Sequence, residues 1–569
     1  MSRPLPSPAL PRAAALAALP WLFASCGGEA GPAPTASVFV ERAAQAGIEF
    51  VHDNGFRNSY AFPETMGSGA ALLDLDGDGD LDLYAVQGGV VPDSTAASLE
   101  SGARPTNELY LGDGQGQFER ATERAGDAAH DGCGMGVCGG DVDGDGSLDL
   151  FVTNFGPDVL LLNDGAARFR AAAGEVVGDA GWNTAAGFAD FDRDGALDLL
   201  VVGYVALEDQ LYSGCFKEGL PDYCDVAIFD GAPDHLYRGD GRGGFVDVTR
   251  EWGFEGARGK GLGLALVDCD DDGDVDAYIA NDSVANELWL NQGDGRMLDH
   301  TDASGAARNV DGKPEAGMGV GVADLNQDQR PDFLVTNFTG ESNTLYVSGA
   351  NARYRDRSRP SGLTVHSRQP LGFGTAFADF DLDGIDDLFV TNGHVLRNLG
   401  DTQAIYTYRQ SDQLFRGLGR AKFELWEAGE DVAAPSVGRG VVVGDVDGDG
   451  DPDLVTTNSG EALRLFENRA PELGAATPAA RYLVVELRGK GSNTFAVGAR
   501  VTLELEGEQP SQTRWIRSGT AYLCQDELVA RFGVPAGPGS GELAVIWPDG
   551  SASRHAVDAF DQRLRVQQP

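Results

Sequence analysis

The sequence predicts an all-β chain, a seven-bladed β-propeller followed by a small β-rich domain. Three observations predict it. An acidic loop of the form D-x-D-x-D-G-x-x-D recurs seven times, beginning at Asp74, Asp141, Asp190, Asp268, Asp324, Asp379 and Asp445. Short β-rich runs flank each loop, and a second strand–turn–strand pattern follows most copies. Each unit therefore holds about four strands, with adjacent loops 49 to 78 residues apart, the period and content of propeller blades.

The elements follow in order. The run Ser37-Val38-Phe39-Val40 is placed to complete the last blade and close the ring. Upstream of most loops lies a strand of small residues, such as Met66-Gly67-Ser68-Gly69-Ala70-Ala71 or Gly261-Leu262-Gly263-Leu264-Ala265. Downstream come Leu83-Tyr84-Ala85-Val86 or Leu150-Phe151-Val152-Thr153, which read as strands. The outer pair is written as Asn107-Glu108-Leu109-Tyr110-Leu111-Gly112-Asp113-Gly114 with Phe118. It recurs as Asp234-His235-Leu236-Tyr237-Arg238-Gly239-Asp240-Gly241 with Phe245, and again at Asn286 to Gly295; the Gly-Asp-Gly segment is a hairpin turn. Residues 38–469 are assigned to the propeller and the Ala/Pro/Gly stretch 470–480 to a linker. Residues 481–569 form a second β domain, on the alternating runs Tyr482–Leu487, Arg500–Leu505 and Glu542–Trp547.

The loops carry the chemistry. Carboxylates at positions 1, 3, 5 and 9, with a backbone carbonyl near position 7, can aim six or more oxygens at one point, as Ca²⁺ requires; glycine at position 6 permits the turn. Mg²⁺ keeps its waters and a stricter octahedron, and transition metals favour His or Cys, which the loops lack. The candidate calcium positions are Asp74, Asp76, Asp78, Asp80 and Asp82; Asp141, Asp143, Asp145, Ser147 and Asp149; Asp190, Asp192, Asp194, Ala196 and Asp198; and Asp268, Asp270, Asp272, Asp274 and Asp276. They continue with Asp324, Asn326, Asp328 and Asp332; Asp379, Asp381, Asp383, Ile385 and Asp387; and Asp445, Asp447, Asp449, Asp451 and Asp453. The expectation is about one Ca²⁺ per blade. The fifth loop is expected to be the weakest, because Asn326 replaces an aspartate, Gln329 replaces the glycine and Arg330 follows. An EF-hand is excluded: no glutamate stands at position 12, and a strand follows instead of a helix.

Composition bounds the partners. The 569 residues carry a net charge of −45, and seven bound Ca²⁺ would leave the chain strongly acidic. Nucleic acid and anionic lipid are therefore excluded as partners. At the N-terminus, Arg3 and Arg12 accompany an apolar stretch, Ala13 to Phe23, that is short for a membrane span. It runs into Leu22-Phe23-Ala24-Ser25-Cys26-Gly27, which resembles a bacterial lipobox, although Phe23 stands where Leu is usual. On this reading residues 1–25 are a lipoprotein signal peptide and Cys26 is the lipidated residue. Residues 26–37 are a flexible tether, and the protein is exported to the outer membrane, cell surface or periplasm. The alternative is an ordinary secretory signal cleaved nearby.

Six further cysteines can pair outside the cytoplasm. Cys215 and Cys224 bracket a loop insertion and form the best disulfide candidate. Cys133 and Cys138 flank a strand and point to opposite faces, so a bridge between them would need a bend. Cys269 and Cys524 have no evident partner.

These stretches together resemble a known family. The blades resemble FG-GAP/VCBS repeats, the type found in integrin α-subunit propellers. The closer similarity is to the cartilage acidic protein family and its bacterial relatives, which end in an ASPIC/UnbV domain. It rests on Gly47-Ile48-Glu49-Phe50-Val51-His52 with Pro63 to Gly69, and on Asp222-Tyr223-Cys224. The C-terminal stretches are Tyr482 to Gly489, Val497-Gly498-Ala499-Arg500-Val501, Arg531-Phe532-Gly533 and Val545-Ile546-Trp547-Pro548-Asp549-Gly550. Cys524 replaces the serine common in the family. The resemblance implies a calcium-stiffened propeller with a C-terminal ASPIC/UnbV domain.

No catalytic constellation is found: G-x-S-x-G and H-E-x-x-H are absent, and metal-loop spacing explains the aspartates better than paired glycosidase carboxylates do. Arg238-Gly239-Asp240 spells an integrin-binding tripeptide but arises from a hairpin turn. The expected function is that of an exported, lipid-anchored, non-enzymatic binding or adhesion scaffold for a protein or glycan, with the membrane touched through the lipid alone. The alternative is an enzyme of the natural-product type, with structural calcium and a site in the central channel near His52, Glu64 and His394. A third reading, an accessory module of a secreted hydrolase, needs an aromatic strip that the sequence does not place.

Overall fold

The computed structural model describes residues 1, 37–58, 60–89, 104–172, 181–207, 214–217, 219–398, 406–471, 473, 480–507 and 509–569. Cys26, the signal peptide and most of the tether and linker lie outside the described residues. Among those described, no helix is long and apolar enough to cross a membrane.

The chain is all-β. Its first part is a series of four-stranded antiparallel sheets built in simple up-and-down order. The first is Ala70–Leu73, Asp82–Ala85, Glu108–Gly112 and Phe118–Arg120. Five more follow, with inner strands Cys133–Gly140, Asn183–Ala189, Gly261–Val267, Val320–Ala323 and Gly372–Ala378. The seventh joins Gly438–Gly444, Asp453–Asn458 and Arg464–Asn468 to the N-terminal strand Phe39–Glu41, with Phe39 opposite Asn468. The inner strands neighbour one another in a closed circuit from the first sheet to the seventh and back. This is a propeller, closed by pairing the start of the chain with its last sheet.

Small residues make the circuit possible. A Cβ on Gly263 would stand 2.2 Å from the Met318 carbonyl oxygen of the next sheet, and one on Gly374 2.5 Å from that of Arg439. A repeated threonine then ties sheet to sheet. Thr336 donates from Oγ1 to the Phe373 carbonyl at 2.6 Å, Thr391 to that of Arg439 at 2.5 Å, and Thr457 to that of Ser68 at 2.5 Å, the last joining the seventh sheet to the first.

The second part is a two-sheet domain. Arg481–Arg488 pairs with Ala530–Val534 and, in parallel, with Gln562–Gln567; Arg500–Leu505 lies between Gln512–Trp515 and Gly541–Ile546, which pairs with Ala552–Val557. Leu483, Val485, Val501, Phe532, Val545 and Trp547 are buried between the sheets.

Residues 516–527 leave this domain and run into the centre of the propeller. The Ala521, Leu523 and Gln525 carbonyls accept from the Val320, Val137 and Leu72 amides at 3.0, 3.2 and 3.1 Å, and the Gln525 amide donates to the Ala70 carbonyl. Inner strands leave their axial edges unpaired, and those edges need partners where water is excluded. The inserted segment supplies them from a separate domain. At the level of these strands the axis is therefore occupied by protein.

Candidate functional site

In an up-and-down sheet the connection between the first and second strands and that between the third and fourth lie at the same face. The acidic loops and the Gly-Asp-Gly turns therefore share one face of the propeller. Each loop is organised alike. Asp74 at position 1 accepts from Gly77 and Gly79 N–H at 2.8 and 3.1 Å. Asp82 at position 9 accepts from Leu75 N–H at 2.8 Å and, with its other oxygen, from Gly112 N–H on the third strand at 3.0 Å. The same pair of bonds recurs at Asp149, Asp198, Asp276, Asp332, Asp387 and Asp453. The ninth position thus closes the loop neck and staples the third strand, besides facing the carboxylate cluster.

Ligand-type oxygens come within 4.8 Å of one another in Asp74/Asp76/Asp82, Asp141/Asp143/Asp149, Asp190/Asp192/Asp194, Asp268/Asp270/Asp276 and Asp379/Asp381/Asp387. These clusters can hold a metal ion. Burial, with neighbouring carboxylates adding to it, pushes Asp82, Asp149 and Asp198 up to about 8 despite their backbone N–H bonds. Such groups resist ionising together unless a cation joins them. Asp270, Asp381 and Asp451 each keep a buried Oδ1 with no hydrogen-bond partner, and hard oxygen donors of this kind suit Ca²⁺.

The loops differ in ways the sequence showed only in part. In the fifth, Arg330 reaches Asp328 at 3.5 Å and Asp271 of the fourth loop at 3.2 Å. In the sixth, which keeps all its carboxylates, Arg416 pairs with the fully buried Asp381. A guanidinium thus occupies part of both clusters. In the fourth, Asp274 at position 7 is paired with Arg193 at 2.6 Å.

The C-terminal domain sits on this same face. Thr494 Oγ1 donates to Asp141 Oδ2 at 2.7 Å. Arg500 meets Asp271 at 2.6 Å, Arg514 meets the buried Asp386 at 2.5 Å, and Arg531 lies 3.5 Å from Asp445. These interdomain contacts are absent from the sequence reading.

Comparison with known proteins bears on both parts. Residues 74–152, 141–201, 268–335 and 324–390 match an FG-GAP-like repeat, and residues 437–475 match the FG-GAP repeat. Residues 489–569 match the ASPIC and UnbV family. The chain is an FG-GAP-repeat protein with a C-terminal ASPIC/UnbV domain. Cartilage acidic protein 1 of Mus musculus is 27% identical over 516 residues, covering 87% of this chain and 72% of that protein. The Homo sapiens protein is 26% identical, covering 86% and 70%. Among solved structures, an Agrocybe aegerita protein titled for recognition of non-reducing terminal N-acetylglucosamine overlaps with a TM-score of 0.39 at 15% identity, covering 64% of this chain and 88% of its own. YCF48 bound to a D1 peptide overlaps with a TM-score of 0.41 at 10% identity, covering 78% and 99%.

The opposite face of the FG-GAP propeller carries the longer connections between second and third strands. Cys215 and Cys224 are disulfide-bonded there, pinning the short hairpin Phe216–Lys217/Leu220–Pro221. Cys133, Cys138, Cys269 and Cys524 are buried free thiols. A cavity of about 430 Å³ opens at this face, walled by Phe62, Tyr204, Phe338, Phe373 and His394 among others. Of the three residues of the alternative enzyme reading, one lines the cavity directly and one borders it through Tyr223. His394 lines this cavity. His52 is buried away from it, accepting on Nδ1 from Gly460 N–H at 3.2 Å. Glu64 is buried and accepts from Tyr223 Oη at 2.9 Å. Burial holds both imidazoles neutral, His52 down to about 4 and His394 down to about 3. In the Arg238-Gly239-Asp240 turn, the Asp240 carboxylate accepts from Arg242 and Gly244 N–H at 2.8 and 2.9 Å; this internal use of the carboxylate accords with a turn rather than a recognition motif.

Proposed function

We propose that the protein is an exported calcium-binding scaffold, anchored through lipid at Cys26, that presents its propeller surface to a protein or glycan. One observation carries the calcium part: acidic loops repeated sheet after sheet on one face, with buried carboxylate oxygens left without partners at Asp270, Asp381 and Asp451. When bound, Ca²⁺ would neutralise these clusters. The residues holding it would be the aspartates at positions 1, 3, 5 and 9, joined in the seventh loop by Asp451 at position 7, with occupancy lowest at the Asp324 loop and reduced at the Asp379 loop, where arginines intrude. Because the ASPIC/UnbV domain touches several of these loops, loading should stiffen both parts together. An ion that binds only the folded chain stabilises it by mass action.

The test is calorimetric titration of Ca²⁺ into EDTA-stripped protein, with the melting temperature followed in parallel. Uptake of five to seven ions, bracketing the six carboxylate-complete loops, with a large rise in melting temperature supports the reading. No uptake would leave the loops as acidic turns and the calcium reading without a basis. The anchor is tested separately, by metabolic labelling of the wild-type precursor and Cys26→Ser with a fatty-acid analogue.

A further inference from the structure

The cavity on the disulfide-bearing face joins aromatic walls to an acidic end. Phe62, Tyr204, Phe338 and Phe373 all line it. Phe62 stacks on Tyr204 at 6.0 Å between centroids, and Phe338 meets His394 edge-on at 5.3 Å. Its volume of about 430 Å³ is in the range that encloses a small organic molecule, roughly 300–1,000 Å³.

The charged groups in the lining are Asp225, Asp282 and Glu341 against Lys217, and His394 is neutral. Asp282 is buried and accepts from Tyr204 Oη at 2.7 Å and from Ser283 Oγ at 2.8 Å; Glu341 accepts from Ala316 N–H at 2.9 Å; Asp225, exposed at the rim, accepts from Ala227 N–H at 3.0 Å. All these donors are neutral, and none of the three acids forms an ion pair among the described residues. An ionised carboxylate has about four acceptor sites, so each keeps capacity for a further donor. The acids also act on one another. Burial raises the Asp282 and Glu341 carboxyls, and negative neighbours add to it, Asp225 at Asp282 and both Glu315 and Asp282 at Glu341. Lys260 lends Asp282 a positive neighbour but does not line the cavity; its Nζ donates to the Val226 carbonyl at 2.9 Å. Lys217 instead acts on His394 and Asp222, and Arg439, whose guanidinium lies 3.9 Å from the Phe373 ring, acts on His394. Grouped, partly desolvated carboxylates without a cation are costly, and aromatic faces attract a cation that joins them.

We propose that this cavity binds a small organic ammonium ion, its cationic nitrogen held among Asp225, Asp282 and Glu341 and its apolar body packed against Phe62, Phe338 and Phe373. Nothing in this requires calcium, so the proposal and the calcium reading fail independently.

The test is calorimetric titration of the full-length protein, at one fixed saturating calcium concentration, with three probes of similar shape: cationic 2-naphthylmethylammonium, neutral 2-naphthylmethanol and anionic 2-naphthoate. The expected result is one ammonium per chain, bound about tenfold or more tighter than the alcohol, as a charge-assisted hydrogen bond supplies, with naphthoate the weakest. Glu341→Gln, which keeps an acceptor for Ala316 N–H, should remove most of that preference while leaving alcohol binding unchanged. Asp225→Asn changes an exposed rim residue and keeps an acceptor for Ala227 N–H, so it serves even if Glu341→Gln does not fold; it should weaken the ammonium several-fold and the alcohol not at all. Equal affinity for the ammonium and the alcohol, preference for naphthoate, no ammonium uptake by protein with the wild-type melting temperature, or an undiminished preference in the folded variants would each overturn the proposal.

Discussion

The ninth-position aspartates show how one residue type serves two purposes. Asp82 satisfies two backbone N–H groups whether or not a cation is present, whereas Asp76 faces the cluster and accepts from the Asp78 amide at 3.3 Å. Asp82→Asn should therefore destabilise the protein even in EDTA, by about 1–3 kcal/mol, because one buried N–H then faces an amide NH₂. Asp76→Asn should leave metal-free stability nearly unchanged and weaken calcium binding. Urea unfolding with and without EDTA separates the two, and equal losses in EDTA would refute the distinction. His52 supplies a second residue-scale prediction. Its folded-state pKa is lowered from 6.5 to about 4 by burial, so the stability it carries is full above pH 6.5 and is lost as pH falls toward 4, on the order of a few kcal/mol. His52→Gln keeps an acceptor for Gly460 N–H and cannot titrate. Its melting temperature should fall less between pH 7 and pH 5 than that of the wild type, and parallel curves would show that His52 does not govern acid sensitivity.

At the scale of elements, the inner strands and the axial segment are mutually dependent. Gly69 sits where a Cβ would lie 1.6 Å from the Leu523 carbonyl oxygen. Gly69→Ala must push the segment away, and amide exchange across residues 518–526 should accelerate while the outer strands stay protected. Unchanged exchange there would mean that the segment does not depend on this contact. Much at this scale was legible in the sequence: the loop positions, the four-strand unit and the closing strand near Phe39 all follow from local patterns. The Thr-Asn pairs at 153–154, 336–337, 391–392 and 457–458 are a further local repeat. Their threonines clip neighbouring sheets, and Asn337 and Asn458 brace the following turn through the Ser342 and Ala462 carbonyls, each at 2.8 Å. The arginines on the clusters were not legible, because Arg416 approaches Asp381 from another strand and Arg500 reaches Asp271 across 229 residues.

For the whole molecule, the consequence is that the propeller does not stand alone. Removing residues 481–569 strips acceptors from the Leu72, Val137, Val320 and Val443 amides, about 1–3 kcal/mol each until water replaces them. It also removes the ion pairs of Arg500, Arg514 and Arg531 with the acidic loops. The truncated chain should melt well below the full chain in saturating calcium, or fail to accumulate folded. Melting at the full-chain temperature would show that the axis tolerates being empty.

The sequence by itself determined the repeat, the all-β architecture, the acidic loops and the family, because each is written within a few dozen consecutive residues and is set by turn and strand preferences. The tertiary structure decided what fills the axis, which loops share their carboxylates with arginine, and where His52, Glu64 and His394 end up. Those outcomes depend on which face a connection emerges from and on contacts spanning up to several hundred residues. No local pattern of polarity or spacing carries that information, since it arises only when the ring has closed and the second domain has docked on it.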